Sequence, residues 1–250
     1  MGEIKYAGIV DSSTVDYIGR ASAVIYLCGC SFRCPWCQNK DIVLEEKCIT
    51  TTTAKLIKAV KDNFLIEAVT VTGGEPLLQE ETFNLLSGLK DETKLLVKLD
   101  TNGFNPALLN KALPYVDFVA MDVKAPFDES YGQSVGIADL KGEIAKNVLE
   151  SLRLLGEWGG ESEARTTVVP EQTDSKEAIT KIAKTVDEAK IKYYTLQQFR
   201  PMNTLDPAYS KLPIPKYKTM KELGEEAKKY LPNTVVRIYT REKGFEEIKQ

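Results

Sequence analysis

The 250-residue chain contains no histidine. That one absence removes Ser-His-Asp and Cys-His nucleophilic sites, HExxH metalloprotease chemistry and every His-ligated zinc site. Chemistry must come from Cys, Asp, Glu, Lys, Tyr or a bound cofactor. No apolar run approaches the roughly 18 residues of a membrane helix. The opening MGEIKYAGIV also lacks the basic start and apolar stretch of a secretory signal, so a soluble cytoplasmic protein is expected. Positive charge is not in excess either: 33 basic and 36 acidic side chains give a formal net charge of −3. No overall field draws in a polyanion, and neither duplex nucleic acid nor a membrane is an expected partner. What remains, 43% hydrophobic and 28% charged residues with 16 Gly and 11 Pro, is the composition of an ordinary globular protein able to bury a full core.

Cysteine is scarce and crowded: all five lie at positions 28, 30, 34, 37 and 48. A disulfide framework would spread them through the fold, so a reduced metal site is the better reading. Its centre is Cys30-x-x-x-Cys34-x-x-Cys37, the most specific signal in the chain. Three thiolates on one short loop suit three irons of a [4Fe–4S] cluster and leave the fourth iron open to a small molecule. A zinc knuckle with Cys28 or Cys48 as fourth ligand is the alternative. In the cluster reading, Cys28, ending an apolar run, and Cys48, preceding a helix start, are packed or incidental thiols.

No repeat, low-complexity tract or linker divides the chain, and residues 1–250 are expected to form one domain. Apolar, β-branched runs predict strands at Ala23–Leu27, Ala68–Thr72, Leu95–Leu99, Asp117–Met121, Ala164–Val169 and Tyr193–Leu196. Helical periodicity fills the intervals at Thr53–Lys61, Glu80–Leu89, Pro106–Leu113, Leu140–Leu155 and Lys176–Lys190. Strands separated by helix-sized connections imply an α/β protein with a parallel sheet, either open or closed into a barrel. A last helix at Met220–Tyr230 and strand at Thr234–Tyr239 are expected to close one edge.

Polar clusters follow the predicted strands. In Thr72-Gly73-Gly74-Glu75-Pro76, two glycines permit close approach of backbone to a ligand, and Glu75 offers an acceptor to an ammonium or hydroxyl; a simple turn is the alternative. Leu99-Asp100-Thr101-Asn102-Gly103 and Met121-Asp122-Val123-Lys124 place carboxylates at the mouth of the sheet, with helix capping and turn formation as the alternative roles. Arg165, inside the fifth strand, needs a partner if buried. The sixth strand runs out through Leu196-Gln197-Gln198-Phe199-Arg200-Pro201, where Arg200 is also readable as a surface charge. Tyr131 and Gly132 follow the fourth strand, where core packing is expected and a ring lining the pocket is the alternative.

The segment LCGCSFRCPWCQN (Leu27 to Asn39) resembles the cluster loop of radical S-adenosylmethionine (SAM) enzymes. VDYIGR (Val15 to Arg20) is similar to the lead-in of glycyl-radical-enzyme activases, and LQQFRP looks like the segment carried by the longer activases of anaerobic ribonucleotide reductase, related to pyruvate formate-lyase activase. Ile18 departs from that lead-in's usual Pro, and Gln38 from the His that follows the last Cys in many relatives. The resemblance implies a partial (β/α)6 TIM-like barrel with its site at the strand C-termini, and a [4Fe–4S] cluster on Cys30, Cys34 and Cys37. It also implies SAM contacts from Gly73, Gly74, Glu75, Asp100, Asn102, Asp122, Lys124, Arg165 and Gln198. In particular, Glu75 would meet the methionyl amine and Lys124 the methionyl carboxylate, while Asp100 and Asp122 would help hold a monovalent cation. The implied activity is reductive cleavage of SAM to a 5′-deoxyadenosyl radical that makes a glycyl radical on a partner, anaerobic ribonucleotide reductase foremost, with a flavodoxin- or ferredoxin-type electron donor. Alternatives are a radical SAM reaction on a small molecule, peptide or tRNA, and a non-catalytic iron–sulfur or zinc protein.

Overall fold

The computed structural model describes residues 2–137 and 142–249. They fall into two compact units, one of residues 2–31, Asn39–Thr101 and Ala107–Ala120, the other of Phe32–Gln38, Asn102–Pro106 and the described residues from Met121 onward.

The first unit begins with β1 (Glu3–Ser13), β2 (Ser22–Leu27), the short α1 (Lys40–Val43), β3 (Ile49–Thr52) and α2 (Thr53–Lys61). It continues with β4 (Ala68–Gly73), α3 (Thr82–Glu92), β5 (Leu96–Thr101), α4 (Pro106–Ala112) and the start of β6 (Phe118–Asp122). Its strand order is β3-β1-β2-β4-β5-β6. The pairings β2–β4 and β4–β5 are parallel, whereas β1 runs antiparallel to both β2 and β3. Strands β2 and β4 are almost wholly buried, as strands covered on both faces must be, and this makes their apolar runs continuous. Helix α2 occupies the interval the periodicity predicts: Thr53, Leu56, Ile57 and Val60 form its buried stripe.

The second unit takes up β6 at Met121 and adds α5 (Tyr131–Ser134), α6 (Glu143–Trp158), β7 (Glu161–Val168), α7 (Lys176–Glu188), β8 (Tyr193–Gln198), α8 (Tyr217–Lys228), β9 (Val235–Thr240) and β10 (Gly244–Glu247). The order is β6-β7-β8-β9-β10, parallel from β7 to β9 with β10 antiparallel at the edge. Ser175 caps α7 by accepting from the Ala178 amide at 3.1 Å. The predicted helix 140–155 begins at residues that lie outside those described; α6 itself ends at Gly159 with φ +79°, a left-handed stop that glycine adopts without strain. Thus β2, β4, β5, β6, β7 and β8 alternate with helices, the (β/α)6 succession expected. Among the described residues no helix is long and apolar enough to cross a membrane.

Two features depart from the expectation. Strands β1, β3 and β10 were not predicted. Cys28 and Cys48, expected as incidental thiols, form a disulfide with Cα atoms 6.2 Å apart. Both cysteines sit at the ends of strands that border β1: Cys28 follows β2 and donates its amide to the Lys5 carbonyl at 3.1 Å, and Cys48 immediately precedes β3.

Candidate active site

In the first unit the register sets Leu27 opposite Gly73, bringing the start of the cysteine loop beside the glycine pair. Gly74 donates to the Leu27 carbonyl at 3.0 Å and Glu75 to the Gly29 carbonyl at 2.8 Å. A Cβ on Gly73, whose φ is +132°, would lie 2.0 Å from the Leu27 oxygen, and one on Gly74 1.9 Å from the Gly29 oxygen. The glycines are therefore required by the backbone itself. Glu75 is buried, and its Oε1 accepts from the Leu77 amide at 3.1 Å and the Thr101 hydroxyl at 2.9 Å. The carboxylate is fixed between the ends of β4 and β5.

Asp100, also buried, has a partner that the sequence reading missed. Lys98 precedes it by two residues on β5, hence on the same face, and its Nζ lies 3.0 Å from Asp100 Oδ1. A lone lysine in the apolar run LLVKLD was the available signal. Lys98 also donates to the Asp16 carbonyl at 2.5 Å, in the Val15–Arg20 segment.

In the second unit, Cys34 and Cys37 lie on a loop held by backbone bonds. Cys37 donates to the Cys34 carbonyl (3.0 Å), Arg33 to Val135 (2.9 Å), Leu205 to Cys37 (3.0 Å) and Asp206 to Pro35 (2.9 Å). Gln38, at the position where relatives carry His, donates through Nε2 to the Arg200 carbonyl at 2.6 Å. After β6, Asp122 takes Arg165 Nε on Oδ1 at 2.9 Å and Lys124 Nζ on Oδ2 at 3.1 Å, which supplies the partner that Arg165 required. The Tyr131 hydroxyl, fully buried, accepts from the Lys124 amide at 3.0 Å, so this core tyrosine also fixes the Lys124 backbone.

Burial opposes ionisation of Asp122, but the charges and hydrogen bonds of Arg165 and Lys124 outweigh it and lower its pKa to about 2. For Lys124, burial acts against the ammonium; Asp122 overcomes it, the Cys34 and Cys37 thiolates add to that, and the ammonium is held well above the usual lysine range. Since the Asp122 pKa is depressed, its contribution to stability is complete above the unfolded value of about 3.9 and is lost as pH falls toward 2. The stability gap between the native chain and Asp122→Asn, measured by denaturant unfolding, should shrink by about 2 kcal/mol between pH 5 and pH 2.

Two sequence candidates have local roles. Asn102 Oδ1 accepts from the Phe104 amide at 2.9 Å, an Asx turn. Gln198 donates to the Pro215 carbonyl at 2.8 Å and to Glu242 at 3.1 Å, and accepts from the Arg241 amide at 2.8 Å. Its amide ties the end of β8 to the segment after β9.

Parallel strands alternating with helices define an α/β protein. The chain belongs to the radical SAM superfamily, whose profile matches residues 24–183; SAM and an iron–sulfur cluster are that superfamily's cofactors. It is 39% identical, over 92% of its length and 95% of the relative's, to the "Putative glycyl-radical enzyme activating enzyme MJ1227" of Methanocaldococcus jannaschii. It is 29% identical over 72% of its length, and 73% of the relative's, to the pyruvate formate-lyase-activating enzyme of Clostridium pasteurianum. A 7-carboxy-7-deazaguanine synthase of Thermococcus kodakarensis is 28% identical over 61% of this chain and 66% of that protein. Streptococcus suis SuiB bound to S-adenosylmethionine matches in structure with a TM-score of 0.68 at 18% identity, over 87% of this chain and 50% of that one. A domain of a pyruvate-formate lyase-activating enzyme from Bacteroides vulgatus gives 0.56 at 16%, over 69% and 99%. At these identities the two structures speak to the fold alone.

Proposed function

We propose that the chain is a glycyl-radical-enzyme activase, acting in the cytoplasm as one functional domain on a large partner enzyme, with anaerobic ribonucleotide reductase as the first candidate. The observation that carries this reading is the 39% identity to an activase-named relative across 95% of that relative's length. When bound, a [4Fe–4S] cluster and SAM supply a 5′-deoxyadenosyl radical by one-electron cleavage, the electron coming from a flavodoxin- or ferredoxin-type donor.

The chain's residues fit these groups. Cys30, Cys34 and Cys37 stand outside the disulfide, the chain has no imidazole to compete as ligand, and Lys124 lies in the field of two of the three thiols. Gly73 and Gly74 set Glu75 at the strand end to receive the methionyl ammonium. Lys124, oriented by Asp122 and by the Tyr131 hydroxyl, receives the methionyl carboxylate. Arg165 completes the charge balance at Asp122, and Asn102 shapes the turn after β5. Gln198 is a positioning residue for the segment after β9. Hydrogen-atom abstraction needs no proton-transfer base, which is consistent with a histidine-free site.

Similarity to the deazaguanine synthases favours a second reading, radical chemistry on a small molecule. One experiment separates the two. Reduced holoenzyme, SAM and a partner carrying deuterated glycine should give a glycine-centred doublet by electron paramagnetic resonance and deuterated 5′-deoxyadenosine. Label arriving only from a small molecule or a tRNA would replace the activase reading with the second one.

A further inference from the structure

The resemblance that supplies the cluster and SAM also implies a monovalent metal ion near Asp100 and Asp122. The residues do not fit one, because each carboxylate already holds a cation of the protein. Asp122 is bracketed by Lys124 and Arg165. Asp100 is paired with Lys98, and the two side chains are only 10% and 4% exposed.

We propose that Lys98 is the resident cation of the Asp100 site, a positioning residue that makes SAM binding independent of monovalent metal ions; the proposal rests on the radical SAM reading of the same site. An ammonium and a potassium ion are close in size and equal in charge. Lys98 delivers its ammonium on a stem anchored in β5, so the site is filled whatever ions surround it. Its Nζ lies 3.0 Å from Asp100 Oδ1 as an ion pair, donates to the Asp16 carbonyl at 2.5 Å and faces the Phe118 ring with its centroid at 5.3 Å. Tyr17 packs edge-on against that ring at 5.4 Å. A second cation on Asp100 would meet like charge where little water screens it. The same ammonium binds Asp16 of the lead-in to the end of β5, so a single side chain fixes both the carboxylate and the segment beside it.

The test compares holoenzyme in buffers whose sole monovalent cation is potassium, sodium or tetramethylammonium. SAM affinity, followed by the change that SAM causes in the resonance of the reduced cluster, and 5′-deoxyadenosine yield should be unchanged across the three for the native chain. Lys98→Met should lose about tenfold in SAM affinity in tetramethylammonium and recover most of it in potassium, while Lys98→Arg should need no rescue. Thallium(I), a potassium mimic followed by NMR line broadening, should show saturable binding to Lys98→Met and none to the native chain that Asp100→Asn abolishes. This arm does not depend on turnover. Stimulation of the native enzyme by potassium, or saturable thallium binding that requires Asp100, overturns the proposal even if Lys98→Met fails to fold. Absence of 5′-deoxyadenosine in every buffer counts against the radical SAM activity, and the thallium result still decides the cation assignment.

Discussion

Alanine at Cys34 or Cys37 is expected to leave a folded protein that holds no cluster and forms no 5′-deoxyadenosine above background. The loop carrying these thiols is held by its backbone: Cys37 bonds to Cys34, Leu205 to Cys37 and Asp206 to Pro35. Removing one sulfur therefore deletes a ligand and spares the scaffold. A cluster with two of its three protein ligands is not retained under chelation, and iron and acid-labile sulfide should fall from about four per chain toward zero. Cys48→Ala is the control with the opposite profile. It opens a ring closed over a sequence separation of 20, which costs about 3 kcal/mol of stability in the chain-entropy account, while iron content stays at the native level. Anaerobic iron and sulfide analysis beside denaturant unfolding checks both. Full iron in Cys34→Ala, or iron lost only in Cys48→Ala, would transfer the ligand role to the other pair.

The second large effect is expected at Gly73 and Gly74, and it is structural. Alanine at Gly74 forces a methyl to 1.9 Å from the Gly29 oxygen, and alanine at Gly73 forces one to 2.0 Å from the Leu27 oxygen with φ at +132°. Backbone oxygens in a parallel pair do not yield as a flexible side chain does. The ends of β2 and β4 must separate, breaking the bonds from Gly74 to Leu27 and from Glu75 to Gly29. Either change should cost about 3–5 kcal/mol and should also misplace Glu75. Gly8→Ala, where a Cβ meets nothing within 4 Å, should stay within about 0.5 kcal/mol of the native chain. Urea unfolding of the three variants checks the ordering, and a Gly74→Ala protein as stable as Gly8→Ala would refute it.

Strands β2 and β4 were legible because burial on both faces imposes an unbroken apolar run, and α2 because its stripe recurs at helical spacing. Strand β1 was not legible. Most of its residues are at least partly exposed, and its register slips between Tyr6 and Gly8 and again between Val10 and Ser13, so no alternation survives in EIKYAGIVDSS. Strands β3 and β10 have four residues each, too few for a period to show. At the strand ends, the sequence located the carboxylates and left their partners open. Arg165 with Asp122 follows from the need to neutralise a buried guanidinium, yet the choice of Asp122 depends on which strands adjoin. The disulfide depends likewise on β2 and β3 both bordering β1, a relation between three strands that cysteine spacing does not encode. Gln198 shows the converse: a polar residue at a strand end suits a pocket or a backbone tie equally, and here it ties backbone.

The bond between Cys28 and Cys48 is chemically asymmetric. Cys28 is 2% exposed, whereas Cys48 is half-buried. A thiolate reductant arriving from solvent meets the Cys48 sulfur first, and attack there expels Cys28 as the leaving group. That group departs at a buried position, where little water is at hand to solvate an anion, which slows the exchange. A reductant is for this reason slow to open the ring that encloses Cys30, Cys34 and Cys37, and the rate at which the bond is reduced becomes a measure of how poorly the Cys28 position accommodates a thiolate.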